Sequence, residues 1–286
     1  MLSYFQILIL ALIQGTAELL PVSSSAHVIV AEKIMGLNPS SPEMTMLLVM
    51  LHTGTMFAVI VYFWKGWRRD YFASKAQLQW FVIQIILATI CTAIVGLGLK
   101  VLIEKVLMRG TPHAEVENLF NNLPLIAGAL AAVGVLIIYA GLRENKSPRH
   151  AEIQPQHSFW IGLVQGLCLP FRGFSRSGAT ISTGLILGLP KQKLEEFSFA
   201  LAVVLTPPII AKEAKRLLQD HVLSDHQSAL HLFLPGLVGM IFSFAAGLLA
   251  LKWLSRWLEG GRWKFFGFYC LIAAAGVLFI HWKLPN

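Results

Sequence analysis

Gln14-Gly-Thr-Ala-Glu18-Leu-Leu-Pro21-Val-Ser23-Ser24-Ser25-Ala-His27 places a carboxylate, three consecutive hydroxyls and an imidazole inside an otherwise apolar N-terminus. A second stretch has the same outline: Gln165-Gly-Leu-Cys-Leu-Pro170-Phe-Arg172-Gly173-Phe-Ser175-Arg176-Ser177-Gly178-Ala-Thr180. A shift of 151 positions lays Gln14-Gly15 on Gln165-Gly166 and Ser24 on Ser175. Each stretch runs into an apolar segment that ends in a Gly-Leu pair, Gly36-Leu37 and Gly188-Leu189. Polar interruptions at matching places in two halves of a hydrophobic chain point to a site built from both halves.

The surrounding chain is 56% hydrophobic and 13% charged, with a mean hydropathy of +0.65, which excludes an ordinary soluble domain. Apolar runs recur at about 44–64, 80–99, 123–142, 196–211, 232–251 and 265–282. Most approach the roughly 20 residues that cross about 30 Å of hydrocarbon. They are continuous rather than alternating, so the fold class is an all-α polytopic membrane protein and not a β-barrel. Run 196–211 carries Pro207-Pro208 and is expected to be kinked or extended at its end. Met1 to Gln6 has no basic residue and leads to no small-residue cleavage site, so the N-terminus reads as retained. Cys91, Cys168 and Cys270 are dispersed in apolar segments and read as small buried hydrophobes. The formal charge of +8 is scattered over short loops, a pattern that fits a membrane surface and not nucleic acid. Trp64, Trp67, Trp253, Trp257 and Trp263 read as interfacial anchors near helix ends.

Segments 4–20 and 26–36, like 158–170 and 178–189, are each too short to span comfortably, with a polar break between the members of each pair. Each pair is expected to form a re-entrant helical hairpin, since non-helical backbone at membrane depth survives only where protein or water satisfies it. The order is then hairpin, three spans, hairpin, three spans, in one integral membrane domain over 1–286, with inverted repeats over about 1–142 and 158–286. Loops 65–79, 143–157 and 252–264, with Lys191 and Lys193, carry thirteen Lys/Arg against eight on the other side. The positive-inside rule puts both termini and the mouth of the first hairpin outside the cytoplasm.

Glu18 is the sole carboxylate between Met1 and Glu32, and an ionised carboxylate at membrane depth is costly unless paired or metal-bound. Gln14 lies one turn earlier on the same face. A carboxylate with an amide oxygen suits a hard divalent cation such as Mg²⁺ or Ca²⁺, which shares its shell with waters and substrate phosphates. An ion pair from Glu18 to Arg176 that only ties the hairpins together is the plainer alternative. Arg176 stands among hydroxyls and glycines at the start of a half-helix and suits bidentate phosphate recognition. Helix N-termini near Ala26 and Gly178 would add backbone N–H donors, and Ser175, Ser177 and Thr180 hydroxyl donors. Capping of the same helices is a role those side chains can fill as well. Ser24 and His27, three apart, can meet at a helix start as nucleophile and base. His52 either lines this site from the next helix or simply packs.

At these residues the chain resembles the bacterial undecaprenyl pyrophosphate phosphatase family, also called the bacitracin-resistance protein family, over nearly its whole length. The family's two boxes stand here as Gln14…Glu18 with Leu20-Pro21-Val22-Ser23-Ser24…His27, and as Gly173-Phe174-Ser175-Arg176-Ser177-Gly178-Ala179-Thr180. The resemblance implies an inner-membrane enzyme, active on the periplasmic side with a divalent cation, that hydrolyses a C55 polyprenyl diphosphate to the monophosphate. That reaction recycles the lipid carrier of peptidoglycan synthesis. Carried over residue by residue, Glu18 and Gln14 would hold the metal and Arg176 the diphosphate. Ser24 or His27 would start the attack, and Ser23, Ser25, Arg172, Ser175, Ser177 and Thr180 would contact substrate. The partners implied are the polyprenyl diphosphate and membrane lipids, with a homodimer left open.

Three departures stand out. Arg172 takes a place usually held by Pro, with Pro170 two residues earlier, which opens the loop to another shape and adds a cation for the diphosphate. Gln14 is the less charged option at its position, and Ala26 stands where Gly is common. From another functional class, a transporter or flippase of a polyprenyl phosphate lipid would need the same binding groups but no Ser24/His27 pair.

Overall fold

The computed structural model describes residues 2–38, 41–107, 119, 122–143, 152–219 and 226–283. Part of the second basic loop, 144–151, therefore lies outside the described residues. Among those described there are ten α-helices and no strand: α1 (Tyr4–Leu19), α2 (Ser24–Ile34), α3 (Pro42–Asp70), α4 (Lys75–Leu102), α5 (Leu123–Leu142), α6 (Pro155–Cys168), α7 (Arg176–Ile186), α8 (Lys191–Gln219), α9 (His226–Glu259) and α10 (Trp263–Lys283). A π-helical turn, Ile103–Leu107, extends α4. Five stretches are long and apolar enough to cross a membrane: Met44–Asp70, Lys75–Val106, Leu123–Leu142, Phe233–Glu259 and Trp263–Lys283. This is a multi-pass helical membrane protein.

Run 196–211 is absent from those five. Pro207 and Pro208 sit inside α8, which stays helical to Gln219, so of the two expectations, kinked or extended, the extended one does not hold. A proline removes one N–H from the ladder, but at membrane depth leaving the helix would strand several more backbone groups.

The two broken pairs follow local rules. Ser3 and Gln6 form a capping box at the start of α1, and Leu20, pressed to φ −81° and ψ 153° ahead of Pro21, ends it. Pro155 opens α6 at a position where no backbone N–H is missed, and Ser175 caps α7 by accepting from the Gly178 N–H at 3.2 Å. The Gly-Leu pairs are matched stop signals. Gly36 (φ 64°) and Gly188 (φ 81°) turn left-handed, while Leu37 N–H reaches Glu32 O at 2.9 Å and Leu189 N–H reaches Gly184 O at 3.1 Å. At 1.5 Å per residue, α1 covers about 24 Å and α2 about 17 Å, both short of a bilayer core.

The chain forms two compact units. The first comprises Met1–Leu20, His27–Lys65 and Ala202–Leu254; the second comprises Pro21–Ala26, Gly66–Leu201 and Ser255–Asn286. In the first, Ile7, Leu10 and Ala11 of α1 meet Val28 and Ala31 of α2 and Met44, Leu47 and Leu51 of α3 in one core. Ser243 of α9 joins it by donating to Leu51 O at 2.9 Å. In the second, α10 lies on α5, α4 on α6, and α7 on both α5 and α6. Two of the expected interfacial tryptophans are core residues here. Trp263 is fully buried with Nε1 donating to Ser182 Oγ at 2.9 Å, and Trp67, 6% exposed, donates to Glu196 O. Their indole N–H groups have partners inside the protein, so they need no wet interface. The three cysteines are free thiols.

Candidate active site

The first unit assembles the carboxylate side of the predicted site. Gln14 is 1% exposed, and its Nε2 donates to Glu18 Oε2 at 3.2 Å while lying 2.9 Å from His52 Nδ1. His52 Nδ1 is itself 3.9 Å from Glu18 Oε2. The amide orientation follows from charge: rotated the other way, Gln14 would set an oxygen against the carboxylate. Each Gln14 N–H meets one acceptor when His52 is the tautomer that carries its proton on Nε2. His52 is the residue sequence reasoning undervalued, because a lone histidine in an apolar run carries no spacing signal.

The neighbouring glycine is part of the construction. A Cβ on Gly15 would lie 2.6 Å from Ser243 O, so α1 and α9 touch there backbone to backbone. The corresponding pair in the second unit is built alike. Gln165 is fully buried, Nε2 donates to Thr92 Oγ1 at 3.0 Å, and a Cβ on Gly166 would lie 2.6 Å from Val95 Cβ.

The second unit holds the hydroxyl and guanidinium side. Ser23 adopts φ 67°, alone among the described non-glycine residues in having positive φ, and its Oγ is 3.2 Å from Ser25 Oγ. Such a backbone costs about 1–3 kcal/mol and persists where surroundings hold it. Ser25 Oγ accepts from Gly173 N–H at 3.3 Å, which ties the tip of the first broken pair to that of the second. Pro21 O accepts from the Cys270 thiol at 3.4 Å. Ser24 opens α2 and His27 follows within its first turn.

Arg172 stands in a tight turn. Phe174 N–H closes a turn on Phe171 O at 3.1 Å, with Gly173 at φ 99° in its third position. That is the pattern of a type II turn, in which Pro is favoured at the second position but not required. A Cβ on Gly173 would lie 2.3 Å from Ile126 O, so the glycine is needed twice over.

Beyond the turn, Arg176 begins α7 and its Nη1 lies 3.5 Å from Ser198 O. Thr180 Oγ1 is 2.6 Å from Ser198 Oγ and also donates to Arg176 O at 2.9 Å. Ser175 and Ser177, each 2% exposed, are 3.5 Å apart at Oγ. These three hydroxyls brace the start of α7, and Ser198 joins them from a position that no sequence motif marks.

Gln14 and Glu18 are the residues of the first unit that would hold an oxygen-seeking cation: Glu18 has a carboxylate whose side chain is 21% exposed, and Gln14 an amide oxygen. Two protein oxygens suit Mg²⁺, which completes its shell from water and phosphate and rarely occupies an all-protein cage. Among the described residues no cluster of three or more His, Cys, Asp or Glu is placed to bind a metal.

A family model described as "Bacitracin resistance protein BacA" matches residues 7–276. The chain is 57% identical over 278 residues to undecaprenyl-diphosphatase 2 of Acinetobacter baylyi, covering 95% of this chain and 96% of that one. It is 34% identical to undecaprenyl-diphosphatase 2 of Burkholderia ambifaria (98% and 97% covered). It is 32% identical to undecaprenyl-diphosphatase of Desulfosudis oleivorans (95% and 96%). The match covers nearly the whole chain, and the chain belongs to the bacitracin resistance protein BacA family.

Proposed function

We propose that this chain is a membrane-embedded phosphatase that hydrolyses undecaprenyl diphosphate to undecaprenyl phosphate and inorganic phosphate. The observation that carries it is the Gln14–Glu18–His52 cluster, a carboxylate, an amide and an imidazole held within 3.9 Å inside an apolar unit. A polar cluster at that place has to be functional or paired, and the Ser24/His27 pair beyond it is what a mere carrier of the lipid would not need. Full-length relatives named for this reaction support the same reading.

In this reading the prenyl chain lies among apolar helices and the diphosphate meets the polar breaks. A Mg²⁺ or Ca²⁺ held by Glu18 and Gln14 Oε1 would neutralise charge on the diphosphate. Arg176 binds phosphate oxygens and offsets charge on the departing undecaprenyl phosphate. Ser24, giving its proton to His27, or His27 itself, attacks the terminal phosphorus; the P–O bond to the bridging oxygen breaks, and water then releases phosphate. Ser23, Ser25 and Arg172 orient the head group, while Ser175, Ser177 and Thr180 act chiefly by holding α7. The reading places the enzyme in a bacterial inner membrane with its site toward the periplasm, where it would return carrier to cell-wall synthesis.

The test is phosphate release by Glu18→Ala and Arg176→Ala proteins that elute and melt like wild type. Each should lose at least about 100-fold, the scale of removing one preorganised charge from a reacting centre. Turnover near wild type in either variant sinks the assignment of that residue.

A further inference from the structure

Ser198 lies in α8, outside both sequence motifs and outside the roles assigned above. It is 2% exposed and stands between Phe197 and Phe199, which are fully buried. Residues of α3 and α9 fix this stretch of α8. Trp67 Nε1 donates to Glu196 O at 3.2 Å, and Ser255 Oγ donates to Glu195 Oε2 at 2.7 Å. Gln192 Nε2, one turn earlier in α8, donates to Glu196 Oε1 at 3.0 Å. A helix start held by an indole, a hydroxyl and an amide is a stiff base from which a site residue can be kept in place.

From this base Ser198 meets Arg176 at both ends. Its carbonyl oxygen lies 3.5 Å from Arg176 Nη1, at the long limit of a hydrogen bond. Its hydroxyl works through Thr180, whose Oγ1 is 2.6 Å from Ser198 Oγ and 2.9 Å from Arg176 O. Ser177 O, at 3.4 Å, is the weaker acceptor for the same threonine hydroxyl. When Thr180 gives its one hydroxyl hydrogen to Arg176 O, Ser198 Oγ–H is the donor of the short bond. The chain then runs from Ser198 through Thr180 to the backbone of Arg176, among groups that exclude water and strengthen such bonds.

We propose that Ser198 is a positioning residue for Arg176: it holds both the backbone and the guanidinium of that arginine at the start of α7. The inference rests on Arg176 binding the diphosphate, as proposed above. A free arginine side chain samples many rotamers, and ordering it costs affinity each time phosphate binds. One N–H resting on the Ser198 carbonyl settles that ordering beforehand and leaves the other donors of the planar group for a bidentate contact. The contact is long, so a charged phosphate oxygen, which makes the shorter and stronger bond, easily displaces it. Hydroxyls that only packed α7 on α8 would support stability and leave phosphate binding alone, and that difference decides the test.

The experiment measures the affinity of full-length, detergent-solubilised protein for inorganic pyrophosphate by titration calorimetry with Mg²⁺, alongside its Tm and its phosphate release from undecaprenyl diphosphate. Ser198→Ala, which keeps the carbonyl and loses the hydroxyl, should weaken pyrophosphate binding about tenfold. Thr180→Val should do the same, while Thr180→Ser, which keeps the hydroxyl, should bind like wild type. In an Arg176→Lys background Ser198→Ala should change the affinity by less than about twofold, because the fork it positions is gone. Variants Ser198→Ala and Thr180→Val that bind like wild type, whatever their Tm, overturn the proposal. So does a loss from Ser198→Ala that is the same size in the Arg176→Lys background. Where Ser198→Ala does not fold, the Thr180 pair decides: Thr180→Ser binding as weakly as Thr180→Val overturns the proposal. Wild-type protein that binds pyrophosphate but releases no phosphate from the lipid refutes the phosphatase and leaves these binding comparisons decisive. Wild-type protein that binds no pyrophosphate overturns the phosphate-binding role of Arg176 and this inference with it.

Discussion

Gln14 illustrates how much at the site is decided by one atom. Its spacing from Glu18 was visible in the sequence, but which end of its amide faces the carboxylate was not. The folded protein turns nitrogen toward Glu18 and His52. Arg172 makes the complementary point. Read as a sequence, an arginine before Gly173 opens the loop to a new shape, yet the Phe174-to-Phe171 hydrogen bond closes a turn of a kind that also accepts proline there. Arg172→Pro should therefore keep the fold and stabilise it by about 0.4–1 kcal/mol through the unfolded chain. If the arginine contacts the diphosphate, the variant's KM rises while kcat holds. Chemical denaturation and steady-state phosphate release check both; a loss of stability would show that the turn is not of the proline-compatible kind. Ser198 was unreadable because it lies inside an apolar run with no motif around it, and it enters through the packing of α7 and α8.

At the scale of elements, the breaks after α1 and α6 were legible because proline, serine and Gly-Leu pairs act locally. The helical course of α8 through Pro207-Pro208 was not, since the cost of unsatisfied backbone in an apolar surrounding outweighs a local preference. Trp67 and Trp263 were misread for a related reason: position near a helix end does not reveal whether a neighbouring helix offers the indole an acceptor. Close helix contacts are also set by pairs that sequence does not align. A Cβ on Gly162 would lie 2.4 Å from Ala88 O, where α6 meets α4, whereas one on Gly128 would meet nothing within 4 Å. Gly162→Ala should cost about 1–3 kcal/mol, because backbone on the far side cannot yield. Gly128→Ala should be neutral or slightly stabilising. Paired denaturation curves in the same detergent decide this, and equal effects would mean that α4 and α6 stand farther apart.

At the scale of the molecule, hydropathy alone established a helical, multi-pass membrane protein, because long continuous apolar runs have few other solutions. The reading of two inverted halves rests on the matched motifs and the loop charges. It predicts that the α2–α3 connection and the α3–α4 connection face opposite sides. A membrane-impermeant maleimide added to intact cells should label Asn38→Cys and spare Ala73→Cys until the membrane is permeabilised. The reverse pattern would invert the orientation and with it the periplasmic site.

The central claim is a cation-dependent hydrolysis performed by this chain alone. Its most direct test is inorganic phosphate released from undecaprenyl diphosphate by the purified, detergent-solubilised protein, with Mg²⁺ or Ca²⁺ and again with excess chelator. The account predicts release with either cation and none with chelator, restored when cation is returned. Tight lipid binding without release would contradict it and make the chain a carrier of the lipid and not its phosphatase.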